Sequence, residues 1–411
     1  MTLDVHDLLK AGKIGAGVST SAERKRSVNQ LAARFAAKNG TDGERSVESA
    51  GKAREVAQQW LTKNFNEPQL LFGLPEVDDR YEAWRVSLLN QTGEAVGELM
   101  IRCSDGQIMQ ATKPSLVESR LSCNKKGQEA RPLEASEFTD VRIGDSSVVC
   151  GDARVVLRQL PEQFFGLVVT SPPYYNARPQ YSEYSDYSEY LALLKDVFSQ
   201  CHRTLEEGRF LVVNASPILV RRPSRDKSSK RIPVPFHINN ILESIGFEFI
   251  DDIIWVKPAG AGWNTGRGRR FAADRQPLQY KPVPITEYFL VYRKATKKLI
   301  DWNLRNHADQ EAVRASRIED GYEVTNVWHS KPSHHPVHPA VFPVGIIQKL
   351  VSYYSFKGDI VLDPFAGIGT VGQAALRIAR RFFLIDVDAS YCSIAAQELQ
   401  DKCQRRLHLS T

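Results

Sequence analysis

The chain is short of cysteine and methionine and has no long apolar run, and each shortage removes a class of protein. Its six cysteines (Cys103, Cys123, Cys150, Cys201, Cys392 and Cys403) form no CxxC pair and no framework spacing. That argues against a disulfide scaffold or a cysteine-held zinc site, and for a reducing compartment. No stretch approaches the roughly 18 apolar residues of a membrane span, and no signal-peptide h-region opens the sequence. The expectation is a cytoplasmic protein without a membrane partner. Neither sign of charge dominates: 54 Lys and Arg against 48 Asp and Glu leave +6 over 411 residues. A polyanionic partner is permitted but not demanded. With 42% hydrophobic and 25% charged residues, the chain is globular and long enough for two domains.

Residues 1 to about 140 differ from the remainder. STSAERKRSVNQLAARFAAKNG has helical periodicity with a basic face and stops at Asn39-Gly40, a favoured helix ending. A second helical run surrounds AREVAQQWLTKNF. Residues 81 to 112 alternate and are punctuated by Thr92-Gly93 and Asp105-Gly106, which predicts a small antiparallel meander. Residues 113 to 138 read as a polar linker. The reading is an accessory α+β region over 1–138, serving DNA contact or dimerisation, followed by a second domain over 139–411.

From Val141 onward, apolar strands (SSVVC, GLVVT, RFLVVN, FIDDIIWVK, ITEYFLVYRK, DIVLD, RFFLID) alternate with helical runs such as EYLALLKDVFSQCHRTL and TVGQAALRIA. That alternation predicts a doubly wound α/β sheet with helices on both faces. Ligands in such sheets gather beyond the carboxyl ends of the strands, where the winding reverses.

Three of those strand ends carry chemistry. GLVVT runs into Ser171-Pro172-Pro173-Tyr174. The prolines end the ladder because they cannot donate to it. They leave bare carbonyls, a hydroxyl and a flat aromatic, which suits a planar group bearing an amine. DIVLD ends at Asp363 and turns through Gly367 and Gly369 into a helix, so a ligand can approach the main chain closely. The match to G-x-G-x-x-G is partial, with the third glycine one place late at Gly372, and no G-K-[ST] follows, which excludes a P-loop. RFFLID ends at Asp386, about 20 residues after the glycine turn, where an acid holds ribose hydroxyls. Asp152 follows the strand SSVVC. Each acid singly has the alternative of capping a helix. Together they suit a cationic nucleoside and not a pyrophosphate.

These segments resemble a known family. TSPPY, DPFAGIGT, GDARVVL and FLIDVDASY are similar to the motifs of the exocyclic-amino DNA methyltransferases. Their order, with the Pro-Pro motif ahead of the glycine motif, resembles the circularly permuted β group, as do IIWVKP and HPAVFP. The resemblance covers roughly residues 141 to 400. It implies a Rossmann-like methyltransferase sheet and S-adenosylmethionine as cofactor, with Phe365, Gly367, Gly369 and Thr370 against its methionine part. It further implies Asp386 on the ribose, Asp152 on the adenine amine and Asp363 near the methionine end. Ser171, Pro172, Pro173 and Tyr174 would hold and activate the target amine of a base flipped from double-stranded DNA. Two departures stand out: Leu384 replaces a glycine often found two before the ribose acid, and Ser171 replaces Asp or Asn. The family usually pairs serine with cytosine N4, so the expected product is N4-methylcytosine, with N6-methyladenine as the alternative. No cysteine follows a proline anywhere, which argues against cysteine-dependent attack at carbon 5.

Two basic loops are the DNA-contact candidates: RRPSRDKSSKR, with Arg221 and Arg222, and GWNTGRGRRF, with Arg267, Arg269 and Arg270. Residues 258 to 335 are the expected target-recognition region. YSEYSDYSEY reads as a lid and lead-in to a helix. HSKPSHHPVHP holds four histidines in proline-broken spacing without a carboxylate or cysteine partner, and no metal site is expected. A cognate restriction-modification endonuclease and a homodimer stay open as partners. Methylation of RNA or of a protein glutamine, and a catalytically inactive DNA-binding regulator, are the competing readings.

Overall fold

The computed structural model describes residues 47–65, 70–78, 82–91, 95–122, 138–175, 187–220, 230–258, 277–278, 284–333 and 342–409. The basic helix expected before Asn39 lies outside them. Ser49 caps α1 (Ala50–Asn64), its Oγ accepting from the Lys52 N–H at 3.2 Å. Ala53, Ala57 and Leu61 share one face of α1 and pack on Val86, Leu88, Leu99 and Ile101 of a sheet. That sheet comprises β1 (Leu71–Phe72), β2 (Glu76–Asp78), β3 (Ala83–Leu89), β4 (Ala95–Arg102) and β5 (Ile108–Ala111). Its order is β1-β3-β4-β5, with β2 also against β3, and every pairing is antiparallel. The expected meander is present. The linker expected from residue 113 is corrected over its first part, where α2 (Pro114–Ser122) forms. Pro114 sits at the first helical position, where its missing N–H is no loss, and Val117 is buried in the core beneath.

The remaining elements follow in chain order. β6 (Thr139–Ile143) and β7 (Ser146–Cys150) form a hairpin that the strand pattern did not reveal, and α3 (Ala153–Arg158), β8 (Phe165–Thr170), α4 (Tyr187–Thr204) and β9 (Leu205–Ala215) come next. A small hairpin, β10 (Ile218–Val220) with β11 (Lys230–Ile232), leads to α5 (Val234–Ile245), β12 (Phe247–Val256) and β13 (Thr286–Lys294). Then come α6 (Trp302–Asn306), α7 (Gln310–Ala315), β14 (Val327–His329), α8 (Val344–Tyr354), β15 (Ile360–Asp363), α9 (Thr370–Arg377), β16 (Arg381–Asp386) and α10 (Ala389–Leu409).

One sheet gathers nine of these strands in the order β14-β12-β13-β9-β8-β15-β16-β7-β6. Its centre, β9-β8-β15-β16-β7, is wholly parallel, while β13 and β6 run against their neighbours. Parallel strands covered on both faces should be apolar throughout, and alternate residues do feed two separate cores. Phe165, Val168, Leu211, Val213, Leu362 and Ile385 face α3, α4 and α5. Leu167, Val169, Val212, Val361 and Leu384 face α8, α9 and α10. The expected doubly wound α/β architecture is therefore observed, with three layers.

A buried ion pair braces the amino ends of the central strands. The Arg209 guanidinium on β9 pairs with Asp359, just before β15, and also donates to the Gly166 carbonyl of β8 at 2.7 Å. Both side chains are under 10% exposed. Removing one partner of such a pair strands a charge in a desolvated site. Arg209→Met is expected to destabilise the fold by about 3 to 5 kcal/mol, read from urea unfolding; a change within about 0.5 kcal/mol would mean that the pair is inert.

Candidate active site

β8 and β15 are neighbours, with Leu167 opposite Val361 and Val168 opposite Leu362. From β8 the chain winds through α4 to β9 on one side; from β15 it winds through α9 to β16 on the other. Their carboxyl ends therefore form the switch point at which ligands bind. Thr170 Oγ1 donates to Asp363 Oδ1 at 2.7 Å across this junction. A cavity of about 590 Å³ opens there, lined by Asp152, Ser171–Tyr174, Asp363–Ile368, Thr370 and Asp386. Residues that lie far apart in the sequence thus share one cleft.

The glycine turn builds one wall. Gly367 adopts φ +52° and its N–H donates to Asp386 Oδ2 at 2.7 Å, so the turn and the acid orient each other. The other oxygen, Asp386 Oδ1, accepts from the Asp388 N–H at 2.9 Å. Burial raises the Asp386 pKa, against these backbone bonds. Phe365 and Thr370 line the cavity as expected, but Gly369 does not. Gly369 caps α9 at φ +81°, and a Cβ there would lie 3.0 Å from the Ala395 Cβ. Gly372 performs a similar packing duty, since its Cβ would come within 2.8 Å of Leu384 Cδ1. The late third glycine and the leucine that departs from the family pattern therefore meet as helix against strand.

Asp152 combines the two roles weighed for it. It caps α3, with Oδ1 accepting from the Arg154 N–H at 2.8 Å, and it lines the cavity. Burial pushes its pKa up, but the Arg154 guanidinium, whose Nη2 lies 2.6 Å from Oδ2, outweighs that and leaves the carboxyl below the ordinary range. Three acids beside the apolar Phe365 and Ile368 fit a cationic nucleoside with hydroxyls to satisfy. They do not fit a polyphosphate, because the Arg154 charge is already held by Asp152.

The catalytic corner rests on residues that the sequence reading missed. Ser171 Oγ lies 3.3 Å from Asn214 Oδ1 at the end of β9, and the Tyr174 hydroxyl 3.1 Å from the same oxygen. Tyr174 also reaches Glu287 Oε2 at 3.2 Å, and Glu287 is paired with Lys257. Their one signal in sequence was a polar residue closing an apolar strand, as in RFLVVN. Lys113, ahead of α2, also lines the cavity. Arg221, Arg222, Arg267, Arg269 and Arg270 lie outside the described residues, as does most of the expected lid. Among the described residues no group of three His, Cys, Asp or Glu is placed to hold a metal ion, and no helix is long and apolar enough to cross a membrane.

Burial pushes the Asp363 pKa up to about 7, with Asp386 adding to the rise and the bonds from Thr170 and the Phe365 N–H opposing it. Between the unfolded value of 3.8 and about 7, the folded state therefore binds more protons than the unfolded chain. This carboxyl's contribution to stability falls as pH rises through that window. Asp363→Asn, which keeps an acceptor without a charge, should gain in Tm on the native protein between about pH 5 and pH 8 in paired calorimetric scans. A Tm difference independent of pH would contradict this.

Comparison with known proteins agrees with this geometry. The family model described as "DNA methylase", of the N6/N4 type, matches residues 165–397. The chain is 28% identical over 255 residues to the type II methyltransferase M.BglII of Bacillus subtilis, covering 61% of this chain and 67% of that protein. It is 29% identical over 317 residues to the type II methyltransferase M.Cfr9I of Citrobacter freundii, covering 70% of this chain and 96% of the relative. Among solved structures it is similar to a DNA modification methylase from Thermus thermophilus in complex with S-adenosyl-L-methionine. That similarity has 28% identity and TM-score 0.46, over 62% of this chain and 93% of the other. The family model spans the Ser-Pro-Pro-Tyr corner, the glycine turn and Asp386 alike, and the chain belongs to the N6/N4 DNA methylase family.

Proposed function

We propose that the protein transfers a methyl group from S-adenosylmethionine to the N4 amino group of cytosine in double-stranded DNA, as a β-group, TSPPY-type enzyme. One observation carries this reading: the Thr170–Asp363 contact puts an amine-accepting corner and a cation-accepting, glycine-lined cavity in the same cleft. When bound, the cofactor supplies an electrophilic methyl group on a sulfonium. Asp386 holds its ribose, Asp152 its adenine amine, and Asp363 with Phe365 its methionine end, while Gly367 and Thr370 let it approach the turn.

The target amine is a weak nucleophile because its lone pair delocalises into the ring. Hydrogen bonds from its two N–H groups to Ser171 Oγ and the Pro172 carbonyl draw the nitrogen towards tetrahedral geometry, so that its lone pair faces the methyl group. Pro173 keeps the corner rigid and Tyr174 stacks on the flipped base. Fixed proximity then supplies much of the rate. Cytosine is favoured over adenine by the family pairing of serine, at the first motif position, with N4.

DNA is read from the connections that leave at this end of the sheet. β12 ends and β13 begins beside the corner, with the Lys257 N–H donating to the Ile285 carbonyl at 2.8 Å, so the segment carrying Arg267, Arg269 and Arg270 departs from there. By contrast, Thr296 to Ile318 pack near Glu207–Phe210 at the amino ends of the strands. Within residues 258–335 the reading function is therefore assigned to the first connection. Arg221 and Arg222 add phosphate contacts, and residues 1–138 form an accessory region. The names of the relatives as type II methyltransferases support a place in a restriction-modification system.

Tyr174→Ala should lower kcat/KM on DNA at least tenfold, since base–aromatic stacking is worth about 1 to 3 kcal/mol, and should leave cofactor affinity by calorimetry unchanged. Unimpaired methylation would remove Tyr174 from the site. Nucleoside mass spectrometry of duplex DNA incubated with the enzyme and labelled cofactor should show N4-methylcytosine. N6-methyladenine alone would overturn the choice of base, and label appearing only in RNA or protein would overturn the substrate.

A further inference from the structure

Asn214 is 1% exposed and ends an otherwise apolar strand. Its amide orientation is forced. Nδ2 lies 3.1 Å from the Tyr288 backbone oxygen, which can only accept, so Oδ1 must be the atom that faces Ser171 and Tyr174. Both hydroxyls therefore donate to one oxygen, and Ser171 keeps its lone pairs available to accept. An amide oxygen does not take up a proton near neutral pH, so a proton cannot travel onward from Ser171 by this route.

We propose that Asn214 is a positioning residue that fixes Ser171 as a pure hydrogen-bond acceptor for the target amine, and that the Ser171 side of the corner is not a proton relay. The inference rests on the reading of Ser171 as a contact of that amine. It assigns the amide a specific duty: it draws the Ser171 proton away from the cleft and tethers the Tyr174 ring through its hydroxyl. The bonds of 3.3 and 3.1 Å are long for hydroxyl donors and should tighten when the site is filled.

The ionisable neighbours come from every adjoining element. Tyr174 follows β8, Glu287 begins β13 and is paired with Lys257 after β12, and Asp363 ends β15 on the far side of Thr170. All four remain in an Asn214 variant, so the native pH profile serves as its baseline.

The test compares native enzyme, Ser171→Ala, Asn214→Leu and Asn214→Asp for kcat, cofactor affinity and DNA affinity across pH. Asn214→Leu should lower kcat between about tenfold and 100-fold with cofactor and DNA affinity retained. In Asn214→Asp, the protonated carboxyl can donate to the Tyr288 oxygen and accept from Ser171, as the amide does, whereas the carboxylate faces that carbonyl oxygen unpaired. Its kcat, relative to the native profile, should therefore rise as pH falls. A relative kcat that rises with pH would mean that a base at this position helps and would overturn the acceptor-only role. Native kcat in Asn214→Leu, with Ser171→Ala inactive, would overturn the role of Asn214 alone. Full activity in Ser171→Ala would instead sink the reading of the corner itself.

Discussion

The 2.7 Å hydrogen bond from Thr170 to Asp363 marks the constraint on which the site depends. It joins the ends of two adjacent parallel strands that lie 193 positions apart in the chain. Parallel pairing puts both carboxyl ends on the same edge, and opposite winding from those strands parts the covering helices there. A cleft is then unavoidable. Its chemistry follows from what each strand is followed by: two prolines after β8, and a glycine turn after β15. The hydroxyl–carboxylate contact is buried, and the apolar surroundings that push the Asp363 pKa towards neutrality would also strengthen its attraction for a cation.

The sheet has two ends with different duties. At the amino ends, Arg209 and Asp359 tie β8, β9 and β15 together with a charge pair that has no exposed role. At the carboxyl ends, polar side chains are held with one edge towards the cleft. Asp386 is gripped by the Gly367 and Asp388 N–H groups, Asp152 by Arg154, and Tyr174 by Asn214 and Glu287. Each is positioned by a partner from outside the cofactor cavity, which is the arrangement a preorganised site requires.

Much of this was legible before the fold was known, and for a physical reason. Asp363, Gly367 and Asp386 are local signals: an acid closing an apolar strand, a turn with positive φ, and a spacing set by one helix and one strand. Ser171 to Tyr174 announce themselves because two prolines cannot continue a ladder. Asn214 was not legible, because its meaning comes from Tyr288, which is 74 residues away and reaches it only through β13 pairing. The packing duty of Gly369 was hidden likewise, since Ala395 meets it only when α10 folds back over α9. The start of α2 read as linker because its short, polar sequence shows one buried residue, Val117, and its burial is decided by the sheet beneath.

A crystal structure with S-adenosylhomocysteine tests the account most directly. The account places the ribose on Asp386 and the sulfur between Phe365 and the Ser171–Pro172 corner, on the open side of the Thr170–Asp363 contact. A ligand bound anywhere else, such as the cavity beside Arg209 and Tyr354 at the amino ends of the strands, would contradict it.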